Sequence, residues 1–566
     1  MSNREKVSVN VAQLSLGMAK LPAVLQQLGY PSLRSGQEPV VTNILGGRDT
    51  LCILPTSMGK TACFVIPTLC LDWQTLVFSP LVALMRDQVQ SLERKGVRAG
   101  QMSSTQSEAE NMRAVRQWIS GELQLLYVAP ERFRNEAFQE AMRHKAPDMV
   151  VVDEAHVCSQ WSDNFRHDYC FIGDFVAEKN PKVVAAFTAT APPEVEDDIR
   201  RVFKMHTADR LMYYPRRSNL DLRSAVYSGE IDLVNKIREV EGSVLVYCAT
   251  IKGVEELAAQ IAQMMPEEDI SFYHGKLAPD VKKYNQDLFM SGKSRIIVAT
   301  NAFGMGIDKS DIRAVFHYDF PGSIEALAQE VGRAGRDGKY SMCLTYWRQK
   351  AQEIQEWFIK IGHPSESDMR RLYMNLRNMA DNNNVVRTSH MQLASVCSLQ
   401  KELVSSALTI FRGSKVIEGY RDDEKCARII YRLPPKEDRQ KNLQMEKDPR
   451  FYPWKKVIEE LGVESADNEI SVDLEALSDR LNVTEQTIRK YLKQWDLDKW
   501  IEFVPPFRGT VVRIINDLSV VDFKRLKEKH EQAKQKLMDV QKYLNLPNSA
   551  KHAYLESYFG VSNNED

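Results

Sequence analysis

No stretch of this sequence approaches the ~20 uncharged apolar residues that a helix needs to cross a bilayer, and its N-terminus, MSNREKVSVN, lacks the apolar core of a secretory signal. An intracellular protein without a membrane partner is therefore expected. Cysteine pairs are missing too: the nine cysteines are scattered, odd in number and free of any Cys-x-x-Cys spacing. That argues against a disulfide framework and against a Cys-rich zinc site, and predicts reduced thiols buried as small apolar residues. Neither sign of charge dominates, since 75 Lys and Arg stand against 76 Asp and Glu for a net charge of -1. A basic cleft can sit on a neutral protein, so this balance leaves a nucleic-acid partner open and moves the question to local residues.

With 566 residues the chain is too long for one ordinary hydrophobic core. Between residues 40 and 210, short β-branched runs alternate with helical patterns: TLCILP, TLVFSP, LQLLYVAP, DMVVVDEAH and KVVAAFTATA. Each run is continuously apolar, as a strand buried on both faces of a parallel sheet is, and each ends in polar or small residues. After Pro215 the pattern restarts with GSVLVYCAT, ISFYHGKL, SRIIVATNAF, AVFHYDF and SMCLTYW. Two tandem doubly wound α/β domains are predicted, with ligands at the carboxyl ends of the strands. Beyond about residue 350, two segments each read as two short helices and a hairpin, in the manner of winged helices. In the second, Leu474, Leu477 and Leu481 form one apolar face, Thr484 can cap the next helix and Gly509 can turn the wing. The charged, Pro-containing stretch Lys436 to Arg450 reads as a linker. The expected domains are an extension (1–20), two α/β domains (21–210 and 211–350), a helical connector (351–390), winged-helix-like modules (391–436 and 451–516) around a linker (437–450), and a helical segment (517–566).

LPTSMGKTACF sets Ser57, Met58, Gly59, Lys60 and Thr61 between a strand and a helix, where backbone amides of the turn and of the helix N-terminus can cradle phosphates. Lys60 would neutralise the β- and γ-phosphates and the Thr61 hydroxyl would bind Mg²⁺. Leu54 stands where the full P-loop pattern has its first Gly. After MVVV, Asp153 can hold Mg²⁺ through water and Glu154 can polarise a water for attack on the γ-phosphate. Together the two motifs predict nucleotide hydrolysis. In QEVGRAGRDG, Arg333 and Arg336 lie three residues apart on one face of a helical turn, where they could reach a phosphate held by the preceding domain. An arginine finger of this kind is worth ~10³ to 10⁵ in rate.

The motifs LRSGQ (33–37), PTSMGKT (55–61), SPLVALMRDQV (79–89), YVAPERF (127–133), DEAHVCSQW (153–161), FTATA (187–191), ATNAFGMGIDK (299–309) and QEVGRAGRDG (329–338) follow one another as in superfamily 2 helicases. The chain resembles RecQ-family DNA helicases over about residues 20 to 350. The resemblance implies two RecA-like domains and a motor that uses ATP and Mg²⁺ to move 3′ to 5′ along single-stranded DNA. It implies that Gln37 reads the adenine edge, that Arg34 packs on the adenine face, that Asp308 belongs to the nucleotide contacts and that Gln329 belongs to the catalytic set. It also implies that the loop after the DEAH box, with Trp161, Phe165, Arg166 and Tyr169, senses single-stranded DNA. Aromatic and guanidinium faces stack on bases at ~1 to 3 kcal/mol per base whatever the sequence. Ser162, Asp163 and Asn164 replace the usual Gly-His-Asp of that loop, and packing under a strand end stays open as the role of Trp161 and Phe165.

The tail KQKLMDVQKYLNLPNSAKHAYLESYFG resembles the zinc-binding segment of the family. Leu544, Ala550 and VSNNED offer no thiolate where its cysteines fall, so apolar packing rather than zinc is expected to hold it. Arg489, Lys490 and Lys493 lie on a recognition helix and Arg508 at a wing tip, poised for duplex DNA or for a protein partner, with Phe507 a candidate strand-separating wedge. The leading reading is a DNA-unwinding ATPase acting on single-stranded, forked or junction DNA beside recombination or repair proteins. A double-strand translocase, a scaffold with a degenerate motor, and RNA as the substrate remain alternatives.

Overall fold

The structure, a computed structural model, describes all residues except 1–8, 55–57, 81, 104–105, 135–137, 140–141, 144, 160–166, 190, 192, 214–215, 305–308, 420–426, 432–468, 473, 482, 498–500, 505–509 and 560–566. The chain divides into two compact units, Met1–Glu356 with Gln532–Asp566, and Trp357–Glu531.

The first unit contains two parallel sheets. Strands β1 (Thr50–Ile53), β2 (Thr75–Phe78), β3 (Ala99–Met102), β4 (Leu125–Val128), β5 (Met149–Val152), β6 (Val183–Thr188) and β7 (Asp209–Met212) lie in the order β3-β4-β2-β5-β6-β1-β7. Successive residues of a strand alternate faces. Val77, Val151, Ala185 and Phe187 join one core with the helices Val11–Leu28, Gln37–Leu45 and Lys60–Leu71, while Leu76, Val150, Val152 and Ala186 join another on the opposite face. This double burial is why the central strands are apolar throughout. The second sheet comprises β8 (Leu220–Val226), β9 (Ser243–Tyr247), β10 (Ile270–Tyr273), β11 (Ile296–Ala299), β12 (Ile312–His317) and β13 (Ser341–Trp347), in the order β10-β11-β9-β12-β13-β8. The predicted pair of RecA-like parallel-sheet domains is thus present. Three strands were missed by the apolar-run criterion: β3, β7 and β8, all at sheet edges, where one side is open and polar residues are tolerated.

The C-terminal helices Phe523–Leu544 and Lys551–Tyr558 meet this unit at β8. The Ser224 hydroxyl donates to the Leu544 carbonyl at 2.6 Å and His552 Nε2 lies 2.8 Å from the Leu220 carbonyl. Leu537, Val540, Tyr543, Leu544 and Leu555 are buried, and Lys551, fully buried, donates to the Tyr543 carbonyl at 2.7 Å. The described cysteines Cys52, Cys63, Cys70, Cys158, Cys248, Cys343 and Cys397 are free and buried.

In the second unit, β14 (Val385–Thr388), β15 (Ile417–Gly419) and β19 (Thr510–Ile514) form one antiparallel sheet, ordered β14-β19-β15. Strands β16 (Ala427–Tyr431), β17 (Glu469–Val472) and β18 (Ile501–Val504) form another, ordered β17-β16-β18. The two predicted hairpins pair neighbours along the chain, β15 with β16 and β18 with β19. Instead β15 pairs with β19, and everything from β16 to β18 is inserted between them. Local hairpin patterning cannot reveal a partner that returns about ninety residues later. The expected helix details hold: Leu474, Leu477 and Leu481 are buried together, and the Thr487 amide donates to Thr484 Oγ1 at 3.3 Å. The linker from Lys436 to Arg450 and the turn at Gly509 lie outside the described residues.

Candidate active site

β1 and β5 flank β6 in the first sheet, so the segments that follow them emerge at the same end about 10 Å apart. Gly59, at φ +70°, turns the chain into the helix Lys60–Leu71. A Cβ there would lie 2.9 Å from Gln37 Nε2, in a backbone conformation that side chains disfavour. Gln37 is buried, donates from Nε2 to the carbonyls of Met58 (2.8 Å) and Gly59 (3.2 Å), and accepts the Arg34 amide at 2.9 Å. Its amide therefore holds the turn itself. The Arg34 side chain is exposed, 4.0 Å from the position of that Gly59 Cβ.

Lys60, at 8% exposure, spans the gap to β5 and donates to Glu154 Oε1 at 3.1 Å. Burial alone would lower its pKa, but the Glu154 and Asp153 carboxylates raise it above the ordinary lysine value. Asp153 continues β5, its amide donating to the Phe78 carbonyl, and Glu154 then adopts a left-handed conformation at φ +49°. That reversal breaks strand alternation and brings two consecutive acids into one site. Burial would raise the Glu154 carboxyl; Lys60, His156 and Arg333 together hold it below its usual value. Burial pushes Asp153 the other way, up to about 6, with Lys60 opposing and Glu154 reinforcing the rise. The two acids are thus set apart, one held toward its ionised form and one pushed toward its protonated form.

Several neighbours were not singled out by the sequence. The Ser79 hydroxyl donates to Asp153 at 3.3 Å, and Gln88 Nε2 donates to Thr61 Oγ1 at 3.1 Å. His156 Nδ1 lies 3.4 Å from Glu154 Oε2 and 3.1 Å from Thr188 Oγ1, which links the DEAH segment to the end of β6. All lie in quoted motifs, yet only their three-dimensional neighbours reveal what they touch.

From the second sheet, Arg333 is buried, donates to the Gly304 carbonyl, and carries the positive charge felt at Glu154. Arg336 and Gln329 are half-buried. Burial raises the Tyr247 phenol, an effect that Arg333 and Arg336 counter, so both arginines lie near that residue. Tyr247 donates to the Phe303 carbonyl at 3.0 Å and stacks on His317.

One residue of the aromatic segment requires correction. Tyr169 is fully buried in the core that holds Leu76, Val150 and Ala186, its hydroxyl donating to the Asp153 carbonyl at 3.1 Å, so its ring face is closed to a base. Ser57, Asp308, Trp161, Phe165, Arg166, Phe507 and Arg508 lie outside the described residues. On the helix Glu485–Leu497, Ile488, Leu492 and Trp495 are buried, Lys490 and Lys493 are exposed and Arg489 is half-buried with partners of its own.

A lysine at the start of a phosphate-loop helix, paired with the acid of a DEAH box and joined by an arginine from a second parallel-sheet domain, defines the superfamily 2 helicase class. Residues 34–199 match the DEAD/DEAH box helicase family, and residues 229–338 match the helicase conserved C-terminal domain. The chain is 37% identical over 363 residues to the ATP-dependent DNA helicase RecQ of Bacillus subtilis, covering 62% of this chain and 60% of that protein. It is 35% identical over 353 residues to the probable ATP-dependent DNA helicase RecS of the same organism, covering 61% of this chain and 70% of the relative. The DUF1998 helicase MrfA, solved bound to DNA, shares the fold at a TM-score of 0.50 and 15% identity, over 71% of this chain and 61% of that one. The chain belongs to the RecQ family of ATP-dependent DNA helicases. It spans 50% to 60% of the length of the RecQ proteins of Bacillus subtilis, Haemophilus influenzae and Pasteurella multocida.

Proposed function

We propose that this protein is an ATP-dependent DNA helicase that moves 3′ to 5′ on single-stranded DNA and unwinds duplex, in recombination or repair. The observation that supports the reading is the largely buried Lys60–Glu154 pair with the Arg333 charge beside it, since hydrolysis needs a phosphate-binding cation, an ionised acid and a transition-state cation together. Lys60 would bind the β- and γ-phosphates, Glu154 would orient the attacking water, and Arg333 and Arg336, with Gln329 beside them, would stabilise charge on the transferred group. The Thr61 hydroxyl and the proton-loving Asp153 fit Mg²⁺, an oxygen-seeking cation that keeps several waters, and would hold it; Mg²⁺ would neutralise phosphate charge. Arg34 and Gln37 would face the adenine, which requires Gln37 to exchange its hold on the phosphate turn for the base, and Asp308 would add a nucleotide contact.

Trp161, Phe165 and Arg166 would stack on single-stranded bases, and the buried Tyr169 would tie that segment to Asp153. The two helix-and-sheet modules of the second unit would act as winged helices, with Arg489, Lys490, Lys493 and Arg508 on duplex phosphates and Phe507 as the wedge. The C-terminal helices would hold without zinc, through packing and backbone contacts. Single-stranded, forked or junction DNA and repair proteins are the proposed partners, in the compartment that holds the chromosome. Steady-state ATP hydrolysis without DNA, with single strands and with blunt duplex tests the reading. Strong single-strand stimulation, lost in Trp161→Ala and abolished with all turnover in Glu154→Gln, is expected. Stimulation by blunt duplex alone would replace it with a double-strand translocase.

A further inference from the structure

The two α/β domains are joined by the segment between β7, ending at Met212, and β8, beginning at Leu220. Arg217 lies in that linker, and its guanidinium donates to three carbonyls of one loop. It donates from Nη1 to the Gly332 carbonyl at 3.1 Å, and from Nη2 to the carbonyls of Ala334 (2.9 Å) and Gly335. The first and last of these carbonyls belong to the peptide units that lead into Arg333 and Arg336. One linker side chain therefore grips the backbone immediately before each of the two arginines proposed to meet the nucleotide.

The loop needs such a grip. It carries glycines at 332, 335 and 338, the last two at φ +52° and +80°, and glycine backbone is costly to order. It also follows the helix Ile324–Val331, whose C-terminal carbonyls carry partial negative charge that a cation complements. Asn219 reinforces the hold, with Nδ2 donating to Gly335 O and Lys339 O, both at 2.9 Å. The fit is close enough that a Cβ on Gly335 would lie 2.6 Å from Asn219 Nδ2. The rigid guanidinium fork can serve three carbonyls from one position, which a lysine ammonium on a flexible stem cannot reproduce.

We propose that Arg217, backed by Asn219, is a positioning residue that sets Arg333 and Arg336 for the transferred phosphate and ties their placement to the linker between the two domains. The proposal rests on the ATPase reading above. A change in the linker as the domains close would move the arginine loop with it, so hydrolysis would follow domain geometry.

The test compares Arg217→Ala, Arg217→Lys, Arg336→Ala and the double variant Arg217→Ala/Arg336→Ala in the full chain, by steady-state ATP hydrolysis with single-stranded DNA. Arg217→Ala should lower kcat at least tenfold with KM for ATP changed less than about twofold, and Arg217→Lys should recover part of the loss. In the Arg336→Ala background, Arg217→Ala should cost clearly less than in wild type, the remainder acting through Arg333. A full additional loss in the double variant, or an effect on KM alone, would overturn the proposal. Amide exchange of residues 333–338 provides a readout independent of turnover. It should accelerate in Arg217→Ala and in Asn219→Ala while β13 keeps its protection; unchanged exchange overturns the proposal, and general acceleration assigns Arg217 to folding instead. A wild type that hydrolyses no ATP with any DNA refutes the ATPase reading, whereas unchanged loop exchange refutes the role of Arg217.

Discussion

Replacing Asp153 by Asn should stabilise the nucleotide-free protein at neutral pH while abolishing ATP hydrolysis. Burial moves this carboxyl from 3.8 to about 6, with Lys60 opposing and Glu154 adding to the rise. Between these values the native state binds a proton that the unfolded chain has released, so stability falls as pH rises through the window and the penalty is complete above about pH 6. At about 1.4 kcal/mol per pH unit, a window of about 2 units corresponds to about 3 kcal/mol at pH 8 and roughly half of that at pH 5. Asn keeps the shape and can still bond Ser79, but it carries no charge to desolvate. The melting temperature of Asp153→Asn should therefore exceed that of wild type by several degrees at pH 8, and the gap should narrow by about half at pH 5. Calorimetry in chelator-treated buffer across pH 5 to 8 measures it. Nucleotide with Mg²⁺ should reverse the order, because a bound cation favours the charged form. A gap that is flat with pH, or that widens toward acid, would refute the buried, proton-loving Asp153.

Other substitutions test separate links. Gly59→Ala forces a left-handed alanine against Gln37 Nε2, at a local cost of about 1–2 kcal/mol, and should raise KM for ATP roughly tenfold; an unchanged KM would mean the turn does not need its glycine. Tyr169→Phe removes the bond to the Asp153 carbonyl, net about 1 kcal/mol, and should weaken stimulation of ATP hydrolysis by single-stranded DNA. Full stimulation in that variant would sever the proposed tie. Lys490→Glu with Lys493→Glu should weaken duplex binding at every sequence and make its salt dependence shallower by about 2 in log–log slope, read by anisotropy. An unaltered slope would move the helix Glu485–Leu497 to protein docking.

What could be read from the sequence follows where the physics is local. The strands β1, β2, β4, β5 and β6 are buried on every residue because both faces are covered, which makes their runs mostly apolar, and the phosphate loop and DEAH box sit directly at two of their ends. Neither depends on a distant partner, so both were visible in one dimension. β3, with its Ala-Gly-Gln-Met sequence, and β7, only half-buried, carry the mixed residues of an edge and gave no apolar run. The insertion of β16 to β18 between β15 and β19 escaped because strand pairing is a long-range contact and each segment looks like a hairpin on its own. Arg217 escaped for the opposite reason: nothing about a linker arginine marks it until the carbonyls it holds, more than a hundred residues away, are known.

Tyr169 carries the most consequence for coupling. Its spacing after Trp161 and Phe165 makes it look like one more stacking ring, but a tyrosine has two usable ends, and here the ring is core while the hydroxyl reaches the backbone of Asp153. The same aromatic segment begins beside Ser159, whose buried hydroxyl donates to Asp198 at 2.6 Å and fixes that side to the helix Pro193–Val202. A segment that would touch DNA in its middle thus has one end bonded to a surrounding helix and the other to the peptide of Asp153. On the proposed reading, a pull on its middle would be resisted at Ser159 and felt at Asp153, next to the acid that would orient water. A stacking tyrosine would add one base contact; a buried one would, on the proposed reading, pass contact made by its neighbours on to Asp153.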